Sequence, residues 1–390
     1  MFKNTLVLIL GLIIGSASTY FGLKYLNKYI PKNNSINKIL SPLGLNRNKV
    51  IGFLPYWLVG SMDKDYTKYL TTLTYYGLTV GPDGKIQKET NPGESEPGIF
   101  TLKSGKMDEI FRDARKNNLS LSLLIFSSNE EDIGNLINDP ITNAKTLVSE
   151  VAPYMKQHNF DDLNLDIESV IEASESARQN FTTFIAEVKK NMDRQNLGTL
   201  TIDASPIVLF KKYLINLTDI DKYVDNIVLM TYDFHYPGSS VTGPVSPISG
   251  AGIDAELDSE VSIVEALKNI SSEKIILGLP LYGYSWETLN DTPRSAVIPG
   301  TGLAISNRKV EKFLESCATC SAKLDNSALE SYVIYKDQET GTYHQIFYPD
   351  REATYKKIQL TNKYKIGGMA LWALGYDGKN ILDPLKDYKD

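Results

Sequence analysis

The sequence is poor in the residues that most often build metal and redox centres. It contains two cysteines and three histidines among 390 residues. Cys317 and Cys320 form one C-x-x-C without a second pair or a nearby histidine, so neither a zinc site nor a thioredoxin-like redox site is expected. His158, His235 and His344 lie far apart in the sequence and lack metal-ligand spacing. We therefore predict no metal and no cofactor.

The chain also lacks an excess of positive charge and the glycine-rich phosphate-binding motifs. Its net charge of −6 gives no electrostatic reason to expect nucleic acid as a partner. No G-x-G-x-x-G or G-x-x-x-x-G-K-[ST] follows the first strand-like segments, so nucleotide binding is not indicated. The hydrophobic fraction of 42% and the charged fraction of 23% are typical of a globular protein with a full core.

One long apolar run, over residues 4–23, stands near the amino terminus. About 20 residues are enough to span a bilayer as a helix. We expect residues 1–24 to form an uncleaved membrane anchor; a signal peptide cleaved near Ser16-Ala17-Ser18 is the alternative. Residues 25–47, rich in Asn, Lys, Ser and Pro, are typical of a linker. The flanking charges do not settle the orientation; on the functional grounds given below, we expect the domain at 48–390 outside the cytoplasm, tethered to the membrane, or secreted if the segment is cleaved.

Strand-like and helix-like segments alternate along residues 48–390. Eight such alternations predict an α/β fold of the (β/α)8 TIM-barrel type, with a doubly wound sheet as the alternative. The predicted strands are Val50–Tyr56, Leu73–Val80, Leu119–Phe126, Asp162–Ile167, Thr199–Ala204, Asn226–Tyr232, Lys274–Leu281 and Ile366–Ala373. The predicted helices are Lys106–Asn117, Ala144–His158, Ala177–Met192, Val261–Asn269 and Arg351–Lys363.

The connection between the seventh and eighth predicted strands is too long for a single helix. Residues 287–350 contain a helix-like piece, Asn307–Ser316, and two strand-like runs, Leu329–Lys336 and Gly341–Tyr348. We expect a small α+β insertion that walls a cleft at the barrel mouth, or else a decoration without ligand contact. The C-x-x-C lies in it, and in an exported protein a local disulfide is the leading expectation, with two free thiols as the alternative.

The segment Phe160-Asp-Asp-Leu-Asn-Leu-Asp-Ile-Glu168 combines a strand pattern with acid chemistry. Asn164, Asp166 and Glu168 alternate with aliphatic residues, the period of a strand with two different faces. The segment lies between two helix-like stretches, as in a parallel sheet that is covered on both faces. Buried acids are costly unless they are paired, hydrogen-bonded or used. We therefore predict a site for acid chemistry at the carboxyl end of a barrel strand; a solvated edge strand is the alternative.

This segment resembles the D-G-x-D-x-D-x-E signature of the family 18 glycoside hydrolases, the chitinase family. Four further stretches resemble motifs of the same family, in the expected order and over almost the entire region after the linker. They are Ile51-Gly-Phe-Leu-Pro-Tyr-Trp57, Met230-Thr-Tyr-Asp233, Gly278-Leu-Pro-Leu-Tyr-Gly-Tyr-Ser-Trp286 and Gly367-Gly-Met-Ala-Leu-Trp-Ala-Leu-Gly-Tyr-Asp377. The bacterial branch of spore-cortex and cell-wall N-acetylglucosaminidases is the most similar in character.

The sequence departs from the signature at three positions. Asp162 stands at the usual glycine, Ile167 where many chitinases have an aromatic residue, and Asn164 in place of the first inner acid. Because like charges in proximity raise carboxyl pKa values, we expect Asn164 to leave Asp166 more readily ionised. Asp161, which precedes the inner residues, is expected to be structural.

The resemblance implies a reaction in which the 2-acetamido oxygen of the substrate attacks the anomeric carbon. Glu168 is then the general acid and later the general base, and Asp166 accepts the acetamide N–H and stabilises the oxazolinium ion. Tyr232 donates its hydroxyl to the acetamide oxygen, and Asn164 has a supporting role. The implied substrate-binding residues are Trp372, as the floor beneath the sugar, with Asp233, Met230, Tyr56 and Tyr282. For Tyr56 and Tyr282, as for Trp57 and Trp286, ligand contact and barrel filling fit equally well.

The expected function is a β-1,4-glycosidase that cleaves next to N-acetylglucosamine. Peptidoglycan is the preferred substrate and chitin oligomers are the alternative. A catalytically silent carbohydrate-binding lectin on the same barrel is a different class of function. The presence of Glu168 favours the enzyme, because the acid is lost in lectins of that kind.

Overall fold

The computed structural model describes residues 48–253 and 255–389. The segments predicted as membrane anchor and linker, 1–24 and 25–47, lie outside these residues. Within the described ranges, no helix is both long enough and apolar enough to cross a membrane. The α-helices are Pro97–Lys103, Asp108–Lys116, Glu130–Asn138, Pro140–His158, Glu175–Gln195, Leu217–Ile220, Ser259–Ala266, Asn307–Ser316, Arg351–Tyr364 and Leu385–Tyr388.

Eight parallel strands close a barrel, which confirms the predicted TIM barrel. Around the barrel they follow the order β1-β2-β5-β6-β7-β8-β9-β15, and β15 pairs with β1. In chain order, the strands of the described residues are β1 (Lys49–Pro55), β2 (Thr72–Thr79), β3 (Glu89–Asn91), β4 (Glu94–Ser95), β5 (Ser120–Ser127), β6 (Asp162–Ile167), β7 (Thr199–Ala204), β8 (Asn226–Leu229), β9 (Ile275–Pro280), β10 (Tyr282–Thr288), β11 (Leu303–Ser306), β12 (Lys323–Asp325), β13 (Glu330–Lys336), β14 (Tyr343–Tyr348) and β15 (Gly368–Trp372).

The alternation in β6 places its two sets of side chains in different surroundings. Leu163, Leu165 and Ile167 belong to the large apolar core that the barrel strands share with the helices around them. A second, smaller cluster, which includes Phe53 and Leu124, forms a separate packed core. Burying one such side chain fully contributes about 1.5–3 kcal/mol, so a shift of register in β6 by one residue would be strongly opposed.

The helix before β6 ends at a residue suited to a sharp turn. Helix Pro140–His158 ends where Asn159 adopts the left-handed conformation with φ 56°, which asparagine tolerates better than most residues. The amide of Asp161 then donates to the carbonyl of Leu121 at 2.8 Å and joins the chain to the neighbouring strand. The side chain of Asp161 accepts from the amide of Leu121 and from Arg115, so its predicted structural role is confirmed.

Strand β8 is shorter than the sequence predicts. It ends at Leu229 and does not continue to Tyr232. The amides of Thr231 and Tyr232 each donate at 2.8 Å to a carbonyl two residues earlier, which turns the chain out of the barrel sheet. The residues Met230 to Asp233 therefore form a turn above the strand.

The long connection between β9 and β15 contains a five-stranded antiparallel sheet in the order β11-β10-β14-β13-β12. This sheet begins at Tyr282, before residue 287, and contains more strands than the two that the sequence predicts. The predicted helix Asn307–Ser316 is present with the same bounds. Cys317 and Cys320 form a disulfide directly after it, as expected.

Candidate active site

The polar residues of β6 form a gradient of exposure. Asn164 is fully buried, Asp166 is 5% exposed, and Glu168, just beyond the end of the strand, is half-buried. The amide of Glu168 donates to the carbonyl of Ser127 at 2.8 Å, which continues the pairing with β5. The predicted acids therefore lie at the carboxyl end of the barrel, and the outermost of them is reached by solvent.

A further acid, Asp203, comes from the neighbouring strand β7. It is 3% exposed, and its Oδ1 accepts a hydrogen bond of 3.1 Å from the Nδ2 of Asn164. The sequence prediction missed Asp203, although Thr199, Thr201 and Asp203 alternate with apolar residues in the same way as the polar face of β6. The same period-two signal was therefore available for this strand.

The acids of the site hold their protons more tightly than ordinary carboxyls do. Burial raises the pKa of Asp166, and Glu168 and Asp203 raise it further. Burial also raises the pKa of Asp203, against the opposing hydrogen bond from Asn164. Asn164 adds no charge beside Asp166, but burial, Glu168 and Asp203 still raise the pKa of Asp166; that Asp166 ionises more readily than it would beside an aspartate at position 164 stays a prediction.

Two buried oxygens at this end of the barrel are left without a protein partner. They are Oδ1 of Asn164 and Oδ1 of Asp166, neither of which has a hydrogen-bond partner in the described part of the chain. A buried acceptor without a donor costs about 1–3 kcal/mol. An acceptor of this kind close to the half-buried Glu168 is suited to receive a donor from a ligand.

Glu168 has the properties of a proton donor. Burial raises the pKa of its carboxyl first, and the nearby Asp233 raises it further. The loop that follows it is held by Glu130, which accepts from the hydroxyl of Ser169 at 2.8 Å and from the amide of Val170 at 2.7 Å. The sequence prediction did not single out Glu130, because nothing in its own segment shows which loop it contacts.

The turn after β8 brings Tyr232 and Asp233 to the same site. Burial raises the pKa of Tyr232, and the surrounding carboxyls of Asp203, Asp166, Asp233 and Glu168 raise it further. Asp233 adopts a left-handed conformation with φ 59° and is exposed to solvent. Four acids and one tyrosine hydroxyl are therefore close enough to influence one another.

The inserted sheet contributes directly to the site through β10. The hydroxyls of Tyr282 and Tyr284 donate to the same oxygen of Asp233, Oδ1, at 2.6 and 2.7 Å. These two hydrogen bonds lower the pKa of Asp233, whereas the protein atoms packed around its carboxyl raise it more, although part of the residue reaches solvent. Tyr282 is thus placed at the site as expected, but its hydroxyl is directed to Asp233.

An aromatic group lies at the mouth of the barrel around Trp372. The centroid of the Trp372 ring is 5.1 Å from that of Tyr76, 5.8 Å from Phe53 and 6.5 Å from Trp57. Tyr56 packs edge-on against Trp57 at 4.9 Å. Trp372 and Tyr56 are half-buried and Trp57 is 46% exposed, so these rings offer apolar surface at the opening. The sequence prediction did not include Tyr76.

Two other candidate ligand-contact residues, Trp286 and Met230, lie outside this aromatic group. Trp286 is fully buried, donates to the carbonyl of Tyr236 at 3.2 Å and packs against Phe347, so it belongs to the core of the inserted sheet. Met230 is half-buried at the end of β8, and its amide donates to the carbonyl of Ala204 at 2.9 Å. Residues 48–253 and 255–389 contain no group of three or more His, Cys, Asp or Glu residues arranged to hold a metal ion.

The sequence profile described as "Glycosyl hydrolases family 18" matches residues 49–377, which is most of the chain and the whole barrel. The chain belongs to this family. The resemblance carried by the β6 signature is thereby confirmed, and with it the assignment of the protein as a glycosidase. The four motifs quoted above all lie within the matched region.

Relatives in the glycosyl hydrolases family 18 include proteins of sporulating bacteria. The putative sporulation-specific glycosylase YdhD of Bacillus subtilis is 24% identical over 343 residues, which cover 84% of this chain and 72% of that protein. The cortical fragment-lytic enzyme of the same organism is 24% identical over 252 residues, and the match covers 63% of this chain but only 53% of that relative.

Solved structures share the fold at low sequence identity. The spore cortex-lytic enzyme SleL of Bacillus megaterium superposes with a TM-score of 0.70 at 21% identity, covering 88% of this chain and 75% of that one. The Group IV chitinase of Ostrinia furnacalis, solved in complex with allosamidin, superposes with a TM-score of 0.73 at 19% identity, covering 88% of this chain and 97% of the other. This chain therefore shares its overall fold with these two solved structures.

Proposed function

We propose that this protein is a retaining glycosidase that hydrolyses β-1,4 bonds next to N-acetylglucosamine, with peptidoglycan as its substrate. The family assignment supplies the reaction class. The observation that carries the proposal is the arrangement of acids at the carboxyl end of the barrel. One acid, Glu168, is half-buried at the opening, whereas Asp166 and Asp203 lie deeper, and Oδ1 of Asp166 has no hydrogen-bond partner in the described part of the chain.

Glu168 acts as the general acid in this proposal. Burial and Asp233 raise its pKa, so it keeps a proton at a pH where an exposed glutamate is ionised. It donates this proton to the glycosidic oxygen as the bond to the anomeric carbon breaks. After the leaving group departs, the ionised Glu168 accepts a proton from the water that opens the oxazolinium ring, and the enzyme returns to its starting state.

Asp166 and Tyr232 orient the acetamide group of the substrate. The unpartnered Oδ1 of Asp166 accepts the acetamide N–H, which turns the acetamide oxygen toward the anomeric carbon. The positive charge of the oxazolinium ion then favours the ionised form of Asp166. The hydroxyl of Tyr232 donates to the acetamide oxygen, and Trp372 supplies an apolar surface beneath the sugar.

The preference for peptidoglycan as the substrate rests on the names of the related proteins. Two relatives bear names that refer to sporulation and to cortical fragments, and a solved structural neighbour is named a spore cortex-lytic enzyme. Chitin oligomers are the alternative substrate, since chitinases share the fold with comparable TM-scores. The proposal includes a location outside the cytoplasm, with residues 1–24 as a membrane anchor that keeps the enzyme within reach of the wall.

Product analysis tests the proposal. The full-length protein is incubated with peptidoglycan and with chitin oligomers, and the products are identified by mass spectrometry and by proton NMR. We expect soluble peptidoglycan fragments with N-acetylglucosamine at the new reducing end, first formed as the β-anomer. Fragments ending in N-acetylmuramic acid, or an α-anomer formed first, would overturn the proposal. Faster cleavage of chitin oligomers would favour the alternative substrate.

The lectin alternative makes a different prediction. A lectin binds N-acetylglucosamine polymers and hydrolyses none of them. Glu168 is present and its pKa is raised, and an acid held in this way has no use in simple binding. A protein that binds chitin oligomers tightly but releases no product from any N-acetylglucosamine polymer would replace the enzyme proposal with the lectin.

A further inference from the structure

A fully buried lysine lies directly behind the active-site turn. Lys357, on helix Arg351–Tyr364, is 0% exposed. Its Nζ contacts the carbonyl of Gly278 at 2.6 Å, the hydroxyl of Ser246 at 2.7 Å, and the carbonyl and hydroxyl of Thr231 at 3.1 and 3.2 Å. A buried ammonium group is costly unless it is hydrogen-bonded. All four acceptors of Lys357 lie in or beside the turn that follows β8.

These acceptors are the groups that position Tyr232. Thr231 is the residue before Tyr232 and lies beyond the end of β8 at Leu229, and its carbonyl accepts from Lys357 and from the hydroxyl of Ser246. Gly278 lies beneath the tyrosine ring, since a Cβ atom added at Gly278 would be 2.9 Å from Cε1 of Tyr232. Lys357 therefore binds both the backbone that precedes Tyr232 and the strand against which its ring packs.

A buried glutamate from the inserted sheet supports the same turn from the other side. Glu330, at the start of β13, is 0% exposed and accepts from the amides of Val245 at 2.6 Å and Ser246 at 2.7 Å. The hydroxyl of Ser246 donates to the carbonyl of Thr231. The carbonyl of Val245 accepts from the amide of Phe234 at 3.1 Å. The segment that Glu330 holds is thus bonded to the residues on both sides of Tyr232 and Asp233.

We propose that Lys357 and Glu330 are positioning residues that fix the turn carrying Tyr232 and Asp233 in the geometry needed for catalysis. This inference rests on the proposed function for its kinetic consequence. The contacts link three parts of the molecule: the last long helix of the barrel, the loop after β8 and the inserted sheet. Burial lowers the pKa of Lys357 to about 7, and the negative charge of Glu330 opposes this shift.

The principal test is the variant Lys357→Met, which keeps the length of the side chain and removes all its donors. Thr361→Val is the matched control, since Thr361 is buried on the same helix and its hydroxyl bonds within that helix, to the carbonyl of Ile358 at 2.8 Å. Both variants are assayed well below their unfolding midpoints on a chromogenic N-acetylglucosamine oligomer. We expect Lys357→Met to lower kcat at least tenfold per folded molecule with a smaller change in KM, and Thr361→Val to lower the midpoint without changing kcat.

Hydrogen exchange gives a second measurement that needs no substrate. The amides of Thr231, Tyr232 and Phe234 are all hydrogen-bonded, so their exchange reports on the order of the turn. We expect exchange in the peptide covering residues 230–236 to rise at least tenfold in Lys357→Met and to stay unchanged in Thr361→Val. Unchanged kcat and unchanged exchange in Lys357→Met would overturn the inference and leave the lysine a purely structural role.

Milder variants cover the case in which Lys357→Met does not fold. Ser246→Ala removes one link between Lys357 and Thr231, and Glu330→Gln replaces one of the two acceptor oxygens that hold residues 245 and 246. We expect each to lower kcat about threefold to tenfold and to raise exchange in the same peptide; no effect of either variant on kcat or exchange would overturn the inference. If the wild type hydrolyses no N-acetylglucosamine polymer, the proposed function fails, and the exchange measurement alone decides whether these residues fix the turn.

Discussion

Strand β6 carries buried acids at both ends, and the two ends differ in how those acids are satisfied. At the amino end, Asp162 accepts hydrogen bonds from the hydroxyls of Ser122 at 2.7 Å, Thr199 at 2.6 Å and Thr201 at 3.0 Å. At the carboxyl end, Asp166 leaves its Oδ1 without a partner in the described residues. Both side chains are almost completely buried, so burial alone does not separate a structural acid from a functional one.

The charge around the two acids differs as well. Near Asp162, the half-buried Lys49 supplies a positive charge that interacts with it, and Lys49 also bonds to the side chain of Asn226. The carboxyl end instead collects further acids, and burial together with Glu168 and Asp203 raises the pKa of Asp166. A cluster of acids with raised pKa values and too few hydrogen-bond donors from the protein is expected of a ligand-binding or catalytic site.

The largest effect on this comparison is expected from Glu168→Gln. The amide keeps the size of the side chain but cannot donate a proton to the glycosidic oxygen. Loss of a general acid typically costs about 10²–10⁴-fold, and we expect a fall of this size in kcat for a chromogenic N-acetylglucosamine oligomer. Binding of the oligomer, measured by calorimetry, is expected to persist. Turnover within a few-fold of wild type would exclude Glu168 as the acid.

A smaller effect is expected from Asn164→Asp. A carboxyl at position 164 removes the hydrogen bond from Nδ2 to Asp203 and adds a like charge beside Asp166. The pKa of Asp166 should rise, and we expect the acid limb of the kcat/KM profile to move up by about one pH unit. An acid limb that stays in place would show that Asp166 does not govern it.

The opposite change is expected from Asp203→Asn. Asp203 is one of the groups that raise the pKa of Asp166, so its removal should lower that pKa. We expect the acid limb to move to lower pH by less than about one unit, because burial, the main cause, remains. The pH dependence of kcat/KM for this variant and for Asn164→Asp, measured in the same buffers, checks whether the two shifts have opposite signs.

The amino end of β6 should respond in stability and not in activity. Burial raises the pKa of Asp162 to about 6, above its ordinary value of 3.8. The folded protein then binds more protons than the unfolded chain between these values, so the free energy of unfolding falls as the pH rises through this window. We expect the stability advantage of wild type over Asp162→Asn to shrink by about 2 kcal/mol from pH 4 to pH 6.

Urea unfolding at several pH values measures this difference and cancels contributions from other acids. The kcat of Asp162→Asn is expected to stay within about twofold of wild type, because the side chain lies at the end of the strand remote from the cleft. A large loss of kcat in a well-folded Asp162→Asn variant would remove the distinction between the two ends of β6.

Structural features that depend on the residues of a single segment were predicted well from the sequence. The eight barrel strands and the inward face of β6 followed from alternation, since a half-buried strand leaves that signal in its own residues. Strand β8 was predicted too long because a buried lysine 126 positions away, Lys357, replaces the sheet as the partner of Thr231. The raised pKa of Asp166 was not predicted for a similar reason, because one of its causes, Asp203, comes from a different strand.

Some aromatic and acidic residues of the site could be found from local motifs, whereas the roles of others depend on contacts between distant segments. Trp372, Tyr232 and Asp233 were found through motifs that resemble the family, and the structure brings the last two beside the acids of β6 and β7. The role of Tyr284 in holding Asp233 requires the fold of the inserted sheet, as does the buried position of Trp286. Contacts that join distant segments leave no periodic signal in either segment alone.

The most direct test of the account is whether the substrate's own acetamide attacks the anomeric carbon. The full-length protein is assayed on chromogenic N-acetylglucosamine oligomers in which the acetyl group carries none, one, two or three fluorine atoms. Fluorine withdraws electrons from the acetamide oxygen and makes it a weaker nucleophile. We predict that kcat falls steeply with each fluorine added. A kcat that does not depend on fluorination would contradict the account and point to direct attack by a carboxylate or by water.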